Sequence, residues 1–216
     1  MKKIIRDLTV RKNERLNSTN VLLKLTSSEK LPEILPGQFV QVKVENSPTT
    51  FLRRPISVHY VDYKTNELWL LIQIVGDGTR KLSELKENDT LNLIFPLGNS
   101  FTLLEKKDAK ILLVGGGVGI APLLYWGDFL KARGFDCMFL LGGRSKENLI
   151  QLAEFEKAGE VLTTTEDGSF GEQGFVTQHS ILNKTKFDAI YTCGPTPMMK
   201  AVAEYAKQTN TFCEVK

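Results

Sequence analysis

An apolar run that leads directly into a glycine-rich turn is the feature that most constrains the fold. The run is Ile111-Leu112-Leu113-Val114, and the following residues read GGGVGIAP, with four glycines in five positions. Helical spacing resumes at Pro122, and proline is tolerated in the first turn of a helix, where its missing N–H has no partner. A strand, glycine turn and helix in this order place backbone N–H groups and a helix N-terminus where they can bind a pyrophosphate.

The C-terminal half alternates strand-like and helix-like segments. Strands are predicted at 111–114, 135–141, 161–165, 189–193 and 211–215, and helices at 122–133, 146–157, 176–183 and 197–208. This alternation is typical of a doubly wound parallel sheet. We therefore expect a five-stranded parallel α/β domain over residues 105–216.

The N-terminal half has a different pattern, made of short segments in which apolar and polar residues alternate. Such segments lie at 21–26, 38–44, 56–60, 68–75 and 90–95, and they are separated by glycine- and proline-containing turns. The pattern predicts a small antiparallel barrel or sandwich over residues 1–104.

Charge and cysteine content exclude several classes of function. The 28 basic and 25 acidic residues are spread along the chain and form no stripe for nucleic acid or a membrane surface. No apolar stretch has the length of a signal sequence or a bilayer span. The three cysteines are widely spaced, and the two histidines belong to no metal-spaced cluster. We expect a cytoplasmic protein without a bound metal, nucleic acid or membrane.

The glycine turn alone leaves a purely structural role open, because Ile120 stands where a GxGxxG fingerprint has its third glycine. A second phosphate-binding pattern occurs in the N-terminal half. Arg53 and Arg54 precede Pro55-Ile56-Ser57, and Gly76-Asp77-Gly78-Thr79 precedes a short helical pattern. A guanidinium can bridge two phosphate oxygens, and spacing to the serine favours Arg54 over Arg53. Two such patterns in two domains predict two dinucleotides.

Four motifs occur in order along nearly the whole chain: Arg54-Pro55-Ile56-Ser57, Gly76-Asp77-Gly78-Thr79, the GGVGIAP stretch 116–122 and Cys193-Gly194-Pro195. This series resembles the ferredoxin–NADP reductase superfamily. The stretches RRPIS, PGQFV, PLGN and TEDGSFG are most similar to electron transfer subunits of dihydroorotate dehydrogenase. The sequence also resembles subunits of NADH-dependent reduced ferredoxin:NADP oxidoreductase and of sulfide dehydrogenase, which are alternative assignments.

The resemblance implies that the N-terminal domain is a six-stranded FAD-binding barrel. Arg54 would bind the FAD pyrophosphate, and Ser57 would hydrogen-bond near the reactive edge of the flavin. Ile56 stands where many relatives have a tyrosine on the flavin ring. The implied FAD-binding residues are Arg54, Pro55, Ile56, Ser57, Leu71, Ile72, Gln73, Gly78 and Thr79.

The resemblance also implies that residues 105–216 bind NAD, which exchanges a hydride with the flavin. The implied NAD-binding residues are Gly116, Gly117, Val118, Gly119, Ile120, Ala121, Glu166, Asp167, Cys193, Gly194 and Pro195. Of the implied site residues, Ser57 and Cys193 are the catalytic candidates, although Cys193 could serve only in packing. Carboxylates at Glu166 and Asp167 would repel a 2′-phosphate, so we expect NADH over NADPH. Arg144 also lies in range, and Asp167 could instead be a turn residue before Gly168.

One feature of the dihydroorotate group is missing. Its members bind a [2Fe–2S] cluster through four cysteines after the last strand, whereas this sequence reads Cys213-Glu214-Val215-Lys216 there and has three scattered cysteines. We expect either a sequence cut short before that segment or direct electron transfer from flavin to an acceptor.

The leading functional hypothesis is an FAD-dependent electron transfer subunit that exchanges hydride with NAD(H). It would serve a dihydroorotate dehydrogenase partner in pyrimidine biosynthesis, as part of a heterotetramer. The alternatives are a stand-alone NAD(P)H:flavin or ferredoxin-type oxidoreductase and a flavin-free binding module.

Overall fold

The computed structural model describes residues 2–45, 47, 49–106 and 108–216. The chain divides into two compact units, Met1–Ser100 and Phe101–Lys216. The division expected from the change in sequence pattern lay between residues 104 and 105.

The N-terminal unit is a closed antiparallel barrel of six strands in the order β1-β2-β5-β4-β3-β6. Its elements are β1 (Ile4–Arg15), β2 (Asn20–Thr26), β3 (Phe39–Val42), β4 (Arg54–Asp62), β5 (Glu67–Gln73), α1 (Asp77–Ser83) and β6 (Thr90–Leu97). Closure removes the open sheet edges that a sandwich would leave. The barrel alternative is therefore confirmed.

The C-terminal unit is a parallel sheet of six strands in the order β10-β9-β8-β7-β11-β12. Its strands are β7 (Ile111–Gly116), β8 (Cys137–Gly143), β9 (Glu160–Thr165), β10 (Glu172–Gln173), β11 (Ala189–Cys193) and β12 (Phe212–Val215), and its α-helices are α2 (Ala121–Lys131), α3 (Leu152–Ala158), α4 (Ile181–Lys184) and α5 (Thr196–Gln208). The five predicted strands are confirmed. The sixth, β10, has two residues and is too short to give a periodic signal in the sequence.

Two of the four helices predicted in this unit are interrupted. The segment 146–157 forms a 3-10 turn (Lys146–Asn148) and then α3, because Gln151 adopts a left-handed φ of 61° that no helix can continue through. The segment 176–183 likewise forms a 3-10 turn (Val176–Gln178) and then α4. Between them His179 is extended, and its Nδ1 accepts a hydrogen bond from the N–H of Ile181.

A buried aromatic cluster ties the first residues of the C-terminal unit to its sheet. The ring of Phe101 stacks on Trp126 at 5.3 Å, and Trp126 meets Tyr191 edge-on at 5.3 Å. The Tyr191 hydroxyl donates to the carbonyl of Thr102 at 2.5 Å, and the Thr102 N–H donates to Glu214 at 2.8 Å. Residues 101–102 therefore fold as part of the C-terminal core.

The helices of both units are short. The longest that the structure describes, α5, has 13 residues. Within the described part of the chain, no helix is long and apolar enough to cross a membrane.

We predict that Gly127→Ala destabilises the C-terminal unit although it lies inside helix α2. Alanine in a helix interior is normally worth about 1 kcal/mol over glycine. At this position a Cβ would lie 2.2 Å from Cζ of the buried Phe139, and overpacking of this kind costs about 1–3 kcal/mol. Urea unfolding should therefore show a net loss of stability. As a control, Phe139→Leu should lower the free energy of unfolding less in the Gly127→Ala background than in the wild type. Stabilisation by Gly127→Ala alone would contradict this packing.

Candidate functional site

The carboxyl ends of the parallel strands bring three sequence motifs to one edge of the C-terminal sheet. Strand β7 ends at Gly116, β9 ends before Glu166 and β11 ends at Cys193. In register, Cys193 pairs with Gly115. The direction in which successive strands are added across the sheet reverses between β7 and β11, and ligands of open α/β sheets bind at such a switch point.

Two glycines explain why the loop after β7 approaches its surroundings so closely. Gly117 has a φ of +55°, in the left-handed region, and a Cβ placed there would meet open space. Gly119 lies against the loop after β11, where a Cβ would be 2.3 Å from Cα of Gly194. The two loops therefore touch backbone to backbone, which a larger residue would prevent.

The residues after Gly116 differ in what they present to a ligand. A 3-10 turn, Gly117–Ile120, precedes helix α2, which has Pro122 in its first turn. Val118 is partly exposed, whereas Ile120 and Ala121 are buried. N–H groups at the start of a helical turn have no acceptor within it, so this segment offers backbone donors rather than side chains.

Asp167 and Glu166, which follow β9, have different environments. The Asp167 carboxylate accepts hydrogen bonds from the Ser169 N–H (3.0 Å) and hydroxyl (2.6 Å), and these bonds hold its pKa below the ordinary value. Gly168 beside it has a φ of +71°. Asp167 thus shapes the turn, as the alternative interpretation predicted. Glu166 is exposed, and its carboxylate makes no hydrogen bond or ion pair with any described residue.

Backbone bonds join this turn to the loop after β8. The N–H of Glu166 donates to the Gly143 carbonyl and that of Asp167 donates to the Arg144 carbonyl. The Lys146 N–H donates to the Ser169 hydroxyl at 2.8 Å. Arg144 therefore lies at the same edge of the sheet as the two carboxylates.

The motif Cys193-Gly194-Pro195 continues from β11 into helix α5. The Cys193 side chain is 2% exposed, and burial raises the pKa of its thiol to about 12. Gly194 has a φ of +159°, and Pro195 is exposed and caps the N-terminus of α5. At neutral pH the thiol is protonated, so it is a small uncharged group.

The N-terminal motifs meet where β4 begins and β5 ends. These strands pair antiparallel, and α1 follows β5 after a short loop. A Cβ on Gly78 would lie 3.0 Å from Cδ of Arg54 and 3.1 Å from Cγ2 of Thr50. The arginine side chain therefore lies directly against the glycine of α1. Thr50 is a contact that the sequence did not predict, since it belongs to none of the motifs.

Two adjacent arginines have different surroundings, with Arg53 preceding β4 and Arg54 beginning it. The Arg53 guanidinium donates to the carbonyls of Gln41 (3.3 Å) and Asn92 (3.1 Å) and to the Asn92 side chain (2.5 Å). The Arg54 guanidinium makes no hydrogen bond or ion pair with any residue that the structure describes. It is therefore the one of the two that can serve a ligand without giving up a protein partner in the described part of the chain.

Helix α1 is closed at its start by the side chain of Thr79. The Thr79 hydroxyl accepts from the N–H groups of Val75 (2.9 Å) and Gly76 (3.2 Å) and donates to the Gly76 carbonyl (3.0 Å). All of its hydrogen-bonding capacity is used in the cap. Donors toward an anion would be the first-turn N–H groups of Asp77, Gly78 and Thr79, which have no acceptor within the helix.

The remaining expected residues of this unit are divided between surface and core. Pro55 and Gln73 are exposed, and Ile56 and Ser57 are partly buried. Leu71 and Ile72 are 2% and 1% exposed, so only their backbone could meet a ligand without rearrangement. The Ser57 hydroxyl makes no hydrogen bond with a described residue. Three exposed apolar side chains lie near these motifs in sequence: Phe51, Leu52 and Val75.

The two histidines belong to different units and different surroundings. His59 is buried in the barrel, and His179 lies 3.6 Å from Glu172. Burial lowers the pKa of His179. Among residues 2–45, 47, 49–106 and 108–216, no group of three or more His, Cys, Asp or Glu side chains could hold a metal ion.

Comparison with protein families matches residues 113–204 to the oxidoreductase NAD-binding domain. This range begins in β7 and ends in α5, and it includes both loops that meet at the switch point. The C-terminal unit therefore carries an oxidoreductase domain.

Curated relatives align over both units. One from Caldanaerobacter subterraneus subsp. tengcongensis is 41% identical over 182 residues, which is 83% of this chain and 69% of the relative. One from Fusobacterium nucleatum is 34% identical over 203 residues, 92% of this chain and 78% of the relative. Both are named dihydroorotate dehydrogenase B (NAD(+)), electron transfer subunit.

Solved structures agree with this relationship. An NADH-dependent reduced ferredoxin-NADP oxidoreductase structure matches with a TM-score of 0.84 and 31% identity, covering 96% of this chain and 75% of that one. A ferredoxin reductase of carbazole 1,9a-dioxygenase has the same fold, with a TM-score of 0.84 at 20% identity, covering 100% and 69%. The chain belongs to the ferredoxin–NADP reductase superfamily and, within it, to the family of dihydroorotate dehydrogenase B electron transfer subunits.

Proposed function

We propose that this chain binds FAD in its N-terminal unit and NAD(H) in its C-terminal unit, and that it carries electrons between NAD(H) and a dihydroorotate-oxidising partner subunit. The observation that carries the proposal is the pair of glycine loops at the switch point. Gly117 leaves space beside a left-handed backbone, and Gly119 packs on Gly194. A dinucleotide pyrophosphate needs such a close approach of backbone N–H groups.

The residues of the N-terminal unit fit the phosphate groups of FAD. Arg54 offers a guanidinium without a described protein partner, and it lies against Gly78 at the start of α1. A planar guanidinium can donate two parallel hydrogen bonds to phosphate oxygens. Because Gly78 has no side chain, Arg54 and a phosphate can lie close to the backbone of α1. The Thr79 cap holds the first-turn N–H groups in place.

A bound flavin supplies the chemistry that accepts or gives a hydride and passes electrons singly. The chain's own residues bind and orient. Ser57 has a hydroxyl available to hydrogen-bond a ligand beside β4. Cys193 contributes an uncharged thiol at the edge of the dinucleotide loops, because burial keeps its pKa near 12. Its role is therefore to pack and shape the pocket and not to act as a nucleophile.

Exposed Glu166 favours NADH over NADPH in this proposal. A carboxylate at the end of β9 can accept hydrogen bonds from a ribose hydroxyl and would repel a phosphate in its place. Asp167 contributes indirectly, since its carboxylate is held by Ser169. Arg144 is the nearby positive charge that could oppose this preference.

The names of the relatives support a partner for this chain, and its cysteines support a compartment. They are named electron transfer subunits of dihydroorotate dehydrogenase B, so we propose a catalytic flavoprotein partner, a heterotetramer and a role in pyrimidine biosynthesis. Three cysteines, none in a disulfide, are compatible with the cytoplasm. These cysteines do not fit a four-cysteine [2Fe–2S] site, because they are too few and lie apart in the sequence.

The first test is the visible spectrum of the FAD-loaded chain during anaerobic titration with NADH. Bleaching of the flavin band is expected with NADH, and mixing with a dihydroorotate-oxidising partner should then give electron transfer to or from NAD. Bleaching that is coupled to ferredoxin but not to such a partner would favour the ferredoxin-linked alternative. Absence of FAD binding would contradict the proposal.

The two arginines give a matched pair of variants. Arg54→Gln should weaken FAD binding about 10- to 100-fold, the value of charge-assisted hydrogen bonds, and should leave the melting temperature of the FAD-free protein unchanged. Arg53→Gln should lower that melting temperature, because Asn92 and Gln41 lose their partner, and should leave FAD affinity nearly unchanged. The reverse pattern would assign the phosphate to Arg53.

Substitution at Glu166 tests coenzyme selection. Glu166→Gln should reduce the ratio of kcat/KM for NADH to that for NADPH about 10-fold, because the charge that repels a 2′-phosphate is lost. Asp167→Asn is the control and should change this ratio little while weakening the turn held by Ser169. If Asp167→Asn changes the ratio more than Glu166→Gln does, the assignment is wrong.

Thiol reactivity tests the state of Cys193. With a pKa of about 12, about one Cys193 thiol in ten thousand is ionised at pH 8. The fold disfavours deprotonation of this thiol. Its contribution to the free energy of unfolding is therefore complete below the ordinary thiol pKa of 9.0 and is lost as the pH rises toward 12. Labelling followed by mass spectrometry should modify the half-exposed Cys213 well before Cys193 and Cys137. Rapid labelling of Cys193 at pH 8 would contradict the buried, protonated thiol.

A further inference from the structure

Met198 lies in the first turn of helix α5, beside both glycine loops. A Cβ on Gly116 would lie 2.7 Å from its Sδ, and a Cβ on Gly194 would lie 2.6 Å from its Cε. Both distances are too short for real contacts, so the thioether occupies the space that these two glycines leave free. One side chain thus contacts the loop after β7 and the loop after β11.

The same side chain is anchored in the core of the C-terminal unit. Met198 packs against a buried cluster formed by Leu112, Val114, Leu140, Val176, Phe187, Ile190, Val202 and Ala206. Its backbone is fixed by α5, which begins directly after Pro195. The partly buried thioether is therefore supported by the core on one side and contacts the two loops on the other.

The loops that Met198 contacts also touch each other. A Cβ on Gly194 would lie 3.2 Å from both N and O of Gly116, and Gly119 packs on Cα of Gly194. The thioether packs beside these backbone contacts, on the side of helix α5, and so restrains both loops from moving toward the helix. A shorter side chain would leave a void into which either loop could shift, and packed interiors respond even to single methylene changes.

We propose that Met198 is a positioning residue of the dinucleotide site, whose thioether supports both the pyrophosphate loop at Gly116 and the loop at Gly194 and restrains them in their touching arrangement. The inference rests on the proposed binding of NAD(H) by this unit. Met198 does not itself contact the reacting atoms in this proposal. It acts by holding the backbone N–H groups of the two loops at the spacing that a pyrophosphate requires.

The test measures ADP-ribose binding to the FAD-loaded full chain by calorimetry, so the readout does not depend on turnover. Met198→Ala should weaken binding about 10-fold, and Met198→Leu, which keeps most of the volume, should restore it to within about threefold. Met199→Ala removes the same side chain from the neighbouring position of α5 and should leave affinity unchanged. Melting temperatures are recorded for each variant, and binding is measured well below them.

A double-mutant cycle with Gly116 tests the contact directly. Gly116→Ala should weaken ADP-ribose binding about 10-fold in the wild type, because its new methyl group meets Sδ at 2.7 Å. In the Met198→Ala background the space is free, so the same change should cost about threefold or less. A methionine that serves stability alone would change the melting temperatures and leave ADP-ribose affinity unchanged.

The outcomes distinguish the role of Met198 from the proposed function. If the wild type binds ADP-ribose and Met198→Ala binds it equally well, the role of Met198 is wrong and the proposed function stands. The same conclusion follows if the losses from Met198→Ala and Gly116→Ala multiply in the double variant. Failure of the wild type to bind ADP-ribose would overturn the proposed NAD(H) site and this inference with it.

Discussion

The contact between two loops at the switch point of the parallel sheet is the constraint on which the candidate dinucleotide site depends. Gly119 and Gly194 approach so closely that a single Cβ at Gly119 would lie 2.3 Å from Cα of Gly194. This contact fixes the end of β7 relative to the end of β11, and neither strand lies at an edge of the sheet. The turn, the helix that follows it and the proline within that helix all serve to present N–H groups at this point.

The two candidate phosphate-binding sites are built differently. The C-terminal unit relies on backbone shape, with buried Ile120 and Ala121 behind the loop. The N-terminal unit relies on one side-chain charge, Arg54, which lies against Gly78 of the short helix α1. In the proposed function, the first arrangement meets the pyrophosphate through uncharged backbone groups, which suits a coenzyme that is exchanged in each turnover. The second adds a guanidinium, which suits a group that remains bound.

The motifs that sequence reasoning identified are those in which backbone geometry restricts the residue type. Strand alternation and the glycine turn predicted a barrel or sandwich and five parallel strands, the family resemblance implied the barrel, and the structure and its solved relative agree. Features that depend on tertiary contacts left no such signal. Three features are not encoded in the periodicity of apolar residues: the left-handed backbone at Gln151, the hydrogen bonds from Ser169 to Asp167, and the packing of Met198 on two loops. The two-residue β10 is too short to have a period at all.

The arrangement of Arg53 and Arg54 has a consequence for how such sequences are compared. A doubled arginine looks like a doubled positive charge for one ligand, but the two side chains have different contacts here. Arg53 is bound to Asn92 and Gln41 and so belongs to the barrel wall, whereas Arg54 lies against Gly78 of α1. Variation at the first position should therefore follow variation at the barrel residues, and variation at the second should follow the ligand. A substitution at Arg53 therefore reports on the barrel, and a substitution at Arg54 reports on the ligand.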